Sequence, residues 1–145
     1  MTKLSADDKD LDRVVSAYLE FAPNDCNDVA VAVDGLKSYI TGMNSYFKSD
    51  VFAINTPGKD SSVGFMSVCP NGCKVTIEDL FISQEMRRQG VGRAAIEALS
   101  GVYPHAAFIE LLSVPSAEGF YEKIGFGLVV PQTDSQMSLW RKNLY

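Results

Sequence analysis

The sequence has no surplus of positive charge, few cysteines, one histidine and no long apolar run. Each shortage closes off a class of function. Eighteen acidic residues against thirteen basic ones leave a formal charge of -5. A chain of that sign repels a phosphate backbone, so a nucleic-acid binder is not expected, and a cationic partner suits it better. No stretch approaches the roughly 20 apolar residues that cross a bilayer. The N-terminal MTKLSADDKD lacks the apolar segment of a secretory signal, and the C-terminal RKNLY matches no lipidation or retention signal. The expected location is cytoplasmic, with no membrane partner. The three cysteines, Cys26, Cys69 and Cys73, are an odd number in a chain without an export signal, so they read as reduced thiols. With the one histidine, His105, they would form a Cys3His zinc set. However, Cys69 and Cys73 flank the turn-forming PNG, and Cys26 and His105 fall in unrelated segments. No metal is expected.

What is present is ordinary globular material. The 145 residues, 46% hydrophobic and 21% charged, suit one folded domain spanning 1–145. Ser5 with Asp8 marks a helix start, followed at helical spacing by Leu11, Val14, Val15, Tyr18 and Leu19, with Pro23 as the stop. Asn27 or Asp28 caps a second helix with Val29, Val33, Leu36 and Ile40 on one face. Beyond Asn44 come short runs of β-formers: VFAIN, SSVGFMSV and, after PNG, KVTIEDLFIS. A helix then runs through Ala98 and Leu99. AAFIELLSV is a continuous apolar run, as in a strand buried on both faces. Pro115 opens a last helix lined by Ala117, Phe120, Tyr121 and Ile124, and Gly125 stops it. GLVV and QMSLW finish as strands. The expected fold class is α/β: two helices, three strands, a helix, a strand, a helix and two strands, with an antiparallel front and a parallel crossover.

The most informative stretch is MRRQGVGRAA, residues 86–95, set between a strand and a helix. A helix N-terminus has about four unpaired N–H groups and roughly half a positive charge. Glycine at that point lets an anion approach the backbone, and Arg87, Arg88 and Arg93 add positive charge. The whole reads as an anion site of pyrophosphate size. The Rossmann pattern is absent, and without Gly-Lys-Ser/Thr it is not a Walker loop.

Together, IEDLFISQEMRRQGVGRAAIEAL and, further on, AEGFYEKIGF resemble the GNAT superfamily of N-acetyltransferases. That family holds the acetyl-CoA pyrophosphate with R/Q-x-x-G-x-G/A after its fourth strand. Arg87-Arg88-Gln89-Gly90-Val91-Gly92 matches in full. A-x-x-F-Y-x-K-x-G-F is matched by Ala117, Phe120, Tyr121, Lys123, Gly125 and Phe126. Close resemblance covers Val75 to Phe126. It implies a central mixed, twisted sheet with a parallel, splayed pair of fourth and fifth strands and about four flanking helices. Three departures stand out: Gln84 replaces a common proline, SVPSAEG lacks a common asparagine, and the usual first strand is short or absent in MTKLSADD.

The resemblance implies transfer of an acetyl group from acetyl-CoA to a primary amine by direct attack on the thioester. An alkylammonium has a pKa near 10 and must lose a proton before attacking. Glu78 and Asp79 are the candidate bases, expected on opposite faces of their strand, with Glu78 favoured by the resemblance. Backbone N–H groups near Phe81 and Ile82 are expected to face the thioester and stabilise the oxyanion. Tyr121 is the candidate acid for the departing thiolate. The cofactor set implied is Phe81, Ile82, Arg87, Arg88, Gln89, Gly90, Val91, Gly92 and Arg93, with Ser113 or Ser116 replacing the missing asparagine. The acceptor expected is a small cationic amine of polyamine, aminoglycoside or amino-sugar type, and the enzyme a monomer or homodimer. The other readings are a protein or peptide acetyltransferase and a non-catalytic acyl-CoA-binding module.

Overall fold

The structure, a computed structural model, describes residues 1–4, 49–58 and 63–144. Its strands are β1 (Thr2–Leu4), β2 (Asp50–Ile54), β3 (Gly64–Asn71), β4 (Lys74–Ile82), β5 (Phe108–Ser113), β6 (Gly127–Val130) and β7 (Ser138–Asn143). Among the described residues two α-helices, α1 (Val91–Val102) and α2 (Glu118–Lys123), each follow a short 3-10 turn. The seven strands form one mixed sheet in the order β1-β2-β3-β4-β5-β7-β6. Only β4 and β5 run parallel, joined by the crossover through α1. The helices expected from Ser5 to Pro23 and from Asn27 through Ile40 lie outside the described residues. The first strand is present, three residues long, and pairs antiparallel with β2.

Both faces of the sheet are buried at β2–β4, where Val51, Ala53, Phe65 and Phe81 lie on one side, and the other face carries a cluster shared with the helices. Phe52, Ile54, Met66, Val68, Val75, Ile77, Ile109, Leu111 and Trp140 join Ala95, Ile96 and Leu99 of α1 and, just past α2, Ile124 and Phe126. Gly92, Ala95, Ile96 and Leu99 recur at the spacing of one helical face, and all are buried. The C-terminal end of α1 is tied down by the Tyr103 hydroxyl, which donates to Asp50 Oδ2 at 2.5 Å. The Tyr103 ring stands edge-on to Phe52.

Three expectations are corrected. AAFIELLSV is not buried on both faces: Leu112 is 56% exposed, because β4 does not accompany β5 that far. The last strand begins at Ser138, two residues later than expected, because Gln136 is taken into a bridge with Thr133. It runs on to Asn143 because its ladder with β5 continues through Phe108↔Asn143. The last helix splits into a 3-10 turn at Pro115–Ala117 and the six residues of α2.

Candidate functional site

Two breaks in β4 create the site. The ladder between β4 and β5 holds four pairs, ending at Ile77↔Leu111, while β4 continues to Ile82 and β5 to Ser113. At the same point the ladder with β3 shifts: Val68 faces Ile77 but Ser67 faces Asp79, so Glu78 is the extra residue of a bulge. The bulge breaks the alternation that would have sent Glu78 and Asp79 to opposite faces. Asp79 falls opposite Ser67, whose hydroxyl donates to Asp79 Oδ2 at 2.8 Å. Glu78 Oε2 accepts from Ser49 Oγ at 2.9 Å. The two carboxylates are therefore close enough to interact. Glu78 is exposed as a residue, but partial burial of its carboxyl first, and the charge of Asp79 second, raise its pKa above the ordinary carboxylate value. Ser49 and Ser67, both buried, hold these groups, and neither belongs to a motif that would have marked it in the sequence.

Beyond Ile82 the chain makes a 3-10 turn at Gln84–Met86 and enters α1 through Arg87 to Gly90. Gly90 is the N-cap, left-handed at φ 80°, where a side chain would be strained. Open space surrounds the position its Cβ would take. Ala94 N–H donates to Gly90 O at 3.0 Å, and the N–H groups ahead of it have no acceptor one helical turn back. Arg88 is also left-handed, at φ 63°, and is the one described non-glycine residue in that state.

The three arginines are not equivalent. Arg87 Nε donates to Ile82 O at 2.8 Å, and its guanidinium lies over the Phe81 ring, 5.7 Å from the centroid. Arg93 is paired with Glu97 on the exposed face of α1. Arg88 is exposed and has no side-chain partner among the described residues. Gln89 donates to Glu85 O, which closes the turn. Val91 is half-buried against the core. Gly92 faces inward: a Cβ there would lie 3.2 Å from Phe120 Cζ and 3.7 Å from Ile82 Cγ1. A cavity of about 280 Å³ opens beside the turn, between Gln89, Gly90, Val91 and Ala94 on one wall and Ile54 to Pro57 on the other. No β5 residue lines it.

Tyr121, on α2, is half-buried between the rings of Phe120 and Phe126, with centroids 5.1 Å and 5.6 Å away. Its hydroxyl has no hydrogen-bond partner among the described residues, and burial raises its pKa, which keeps the proton on through the neutral range. Ser113 is buried, and its hydroxyl donates to Val114 O. Ser116 is exposed in the 3-10 turn before α2. A buried network ties these segments together. Ser138 Oγ donates its one proton to the Glu118 carboxylate, lies 3.2 Å from Ser113 O, and accepts from Trp140 Nε1. Cys69 and Cys73 are free thiols beside the β3–β4 turn, and Cys26 lies outside the described residues.

The arrangement can seat an anion at the start of α1 and bring a thread-like ligand from there into the gap where β4 leaves β5. The family model for the acetyltransferase (GNAT) domain matches residues 24–140. No curated protein matches. Among solved structures, an acetyltransferase from Thermus thermophilus superposes with a TM-score of 0.75 at 18% identity, over 99% of this chain and 95% of that one. An aminoglycoside 6'-acetyltransferase type Ii gives 0.73 at 16% identity, over 99% and 96%. The PaiA N-acetyltransferase from Thermoplasma acidophilum, in complex with coenzyme A, gives 0.67 at 16% identity, over 97% and 96%.

Proposed function

The chain belongs to the GNAT acetyltransferases, and from that premise we propose that it moves an acetyl group from acetyl-CoA to a small cationic primary amine. One observation carries the reading. The turn from Arg87 to Gly92 opens α1 beside the end of β4, just beyond the point where β4 parts from β5. The residues fit the cofactor: Gly90 presents backbone with no side chain in the way, and Arg88 has no competing partner among the described residues.

Acetyl-CoA would supply an activated acyl group, a thioester with a thiolate leaving group. The turn from Arg87 to Gly92, with Gln89, Val91 and Arg93, holds the diphosphate through N–H groups and charge. Arg87 acts mainly by bracing the end of β4. Ser113 ends β5 with its hydroxyl turned to Val114, so Ser116 is the serine open to the cofactor. The backbone at Phe81 and Ile82 borders the gap where the acyl oxygen gains charge. Glu78, its pKa raised, takes the proton from the acceptor ammonium, directly or through a water. Tyr121 gives its proton to the departing sulfur. The Glu78–Asp79 pair and the acidic chain favour a small cationic acceptor.

The test is thiol release from acetyl-CoA with a polyamine, an aminoglycoside, an amino sugar and a lysine peptide. Release with a small cationic amine is expected. Release with the peptide alone would make it a peptide acetyltransferase. Tight CoA binding without release in any case would make it a binding module.

A further inference from the structure

The strand register marks a row of residues running away from the reaction centre. On β5, Ile109 and Leu111 face the core, so Phe108, Glu110 and Leu112 face the other way. Thr76 of β4 stands opposite Glu110 and shares that face. The next residues on this face are Glu78 on β4 and Leu112 on β5, one on each side of the parting. From Leu112 the row continues across the sheet to Leu139 of β7, directly opposite, and to Val130 of β6, opposite Leu139. Leu112 is 56% exposed, while Leu139 and Val130 are half-buried. Val114 and Met137, 48% and 41% exposed, extend the apolar surface at the same end of β5 and β7. Isolated exposed leucines are ordinary, but apolar residues in register across three strands beside a reaction centre are a surface that a ligand can cover.

Charge is distributed to match. Glu78 and Asp79 stand at one end of the row. The next carboxylate down this face, Glu110, is already bonded to Arg141 and paired with Lys74. A ligand lying along the row thus meets carboxylates at its head and hydrocarbon along its body.

We infer that the acceptor is an amine with a single charged head and an apolar arm, the head at Glu78 and the arm on Leu112, Leu139 and Val130. This rests on the acetyltransferase reading and narrows it. A polyamine would lay a second ammonium on the leucines, and an aminoglycoside would lay hydroxyls there, and both lose solvation without compensation. Paired strands are about 4.8 Å apart, so the row accepts an arm on the order of 10 Å.

The experiment compares kcat/KM for n-alkylamines from butylamine to octylamine with spermidine and an aminoglycoside, by thiol release from acetyl-CoA. Each added methylene should raise kcat/KM about two- to fourfold until the row is covered. Hexylamine should exceed spermidine and the aminoglycoside. Leu112→Ser should flatten the dependence on chain length, with calorimetric CoA binding showing that the folded protein keeps its cofactor site. A flat profile, or preference for spermidine or the aminoglycoside, overturns the inference and leaves the acetyltransferase reading standing. CoA binding without thiol release from any amine overturns both. A dimer in sedimentation that Leu112→Ser dissociates, with the chain-length profile unchanged, makes the row an interface between copies and overturns the inference.

Discussion

Gly92 on α1 and Phe120 before the end of α2 fit against each other so closely that a β-carbon on Gly92 would lie 3.2 Å from Phe120 Cζ. Gly92 thus serves the contact between the two helices that carry the glycine turn and Tyr121, while Gly90 is the glycine that faces open space. A side chain at Gly92 disturbs that contact whether or not a phosphate is bound.

The first prediction follows from that contact. Gly92→Ala gains up to about 1 kcal/mol of helix propensity and loses a comparable amount displacing the Phe120 ring, which is 39% exposed and has room to move. Its net effect on thermal stability should stay within about 1 kcal/mol. Gly92→Asp should cost about 1–3 kcal/mol from crowding alone. Adding Phe120→Leu should recover part of that loss in calorimetric unfolding. If Gly92→Asp melts like the parent protein, the contact is looser than described.

Arg88 should show opposite effects on stability and binding. Its left-handed backbone costs an L-residue about 1–2 kcal/mol, a strain that glycine escapes. Arg88→Gly should leave stability unchanged or higher, after glycine's own entropic cost of about 0.5–1 kcal/mol. It should also weaken CoA binding about 10- to 100-fold by removing a charge-assisted bond, an effect that shrinks in high salt. Arg93→Gln, already paired with Glu97, should weaken it less. Calorimetric titration of the two variants with CoA decides the matter, and equal losses would contradict the ranking.

The pH profile should report the carboxylate pair. Glu78 acts as a base only when ionised, and its pKa is raised by burial and by Asp79. At saturating acceptor, kcat should therefore fall as pH is lowered through a pKa above the ordinary carboxylate value. Asp79→Asn removes the like charge but not the burial, so the limb should move to lower pH without reaching the ordinary value. Glu78→Gln should abolish the limb and lower the plateau. Stability responds in the opposite direction. A raised carboxylate binds its proton more tightly when folded, so its ionisation costs stability as pH rises through that window. A limb unmoved by Asp79→Asn would assign the titration to another group.

Tyr121→Phe keeps the ring packed between Phe120 and Phe126 and removes only the hydroxyl. Turnover should fall about 10²- to 10⁴-fold, the usual worth of general acid catalysis, while CoA affinity stays nearly constant. Full turnover in a variant whose chemical step limits the rate would make Tyr121 a packing residue only.

The glycine turn, the order of strands and helices from β2 onward and the FY-containing helix were legible in the linear chain, while the three-residue β1 was not evident. They rest on local physics: turn residues, side-chain periodicity, and a glycine where the backbone goes left-handed. The same local rules misplaced what depends on neighbours far along the chain. Alternation put Glu78 and Asp79 on opposite faces, because nothing local announces that Ser67 and Val68 shift register and insert a bulge. Three arginines looked alike until Arg87 was held by Ile82 O and Arg93 by Glu97. An apolar run looked doubly buried, but burial belongs to the sheet, and β4 leaves β5 after Ile77. Sequence determined most of the elements and where the glycine turn opens α1, since those are set within a few residues. Tertiary structure alone decided which carboxylates meet, which charge stays available and which leucine stays exposed, since each depends on pairing between segments distant along the chain.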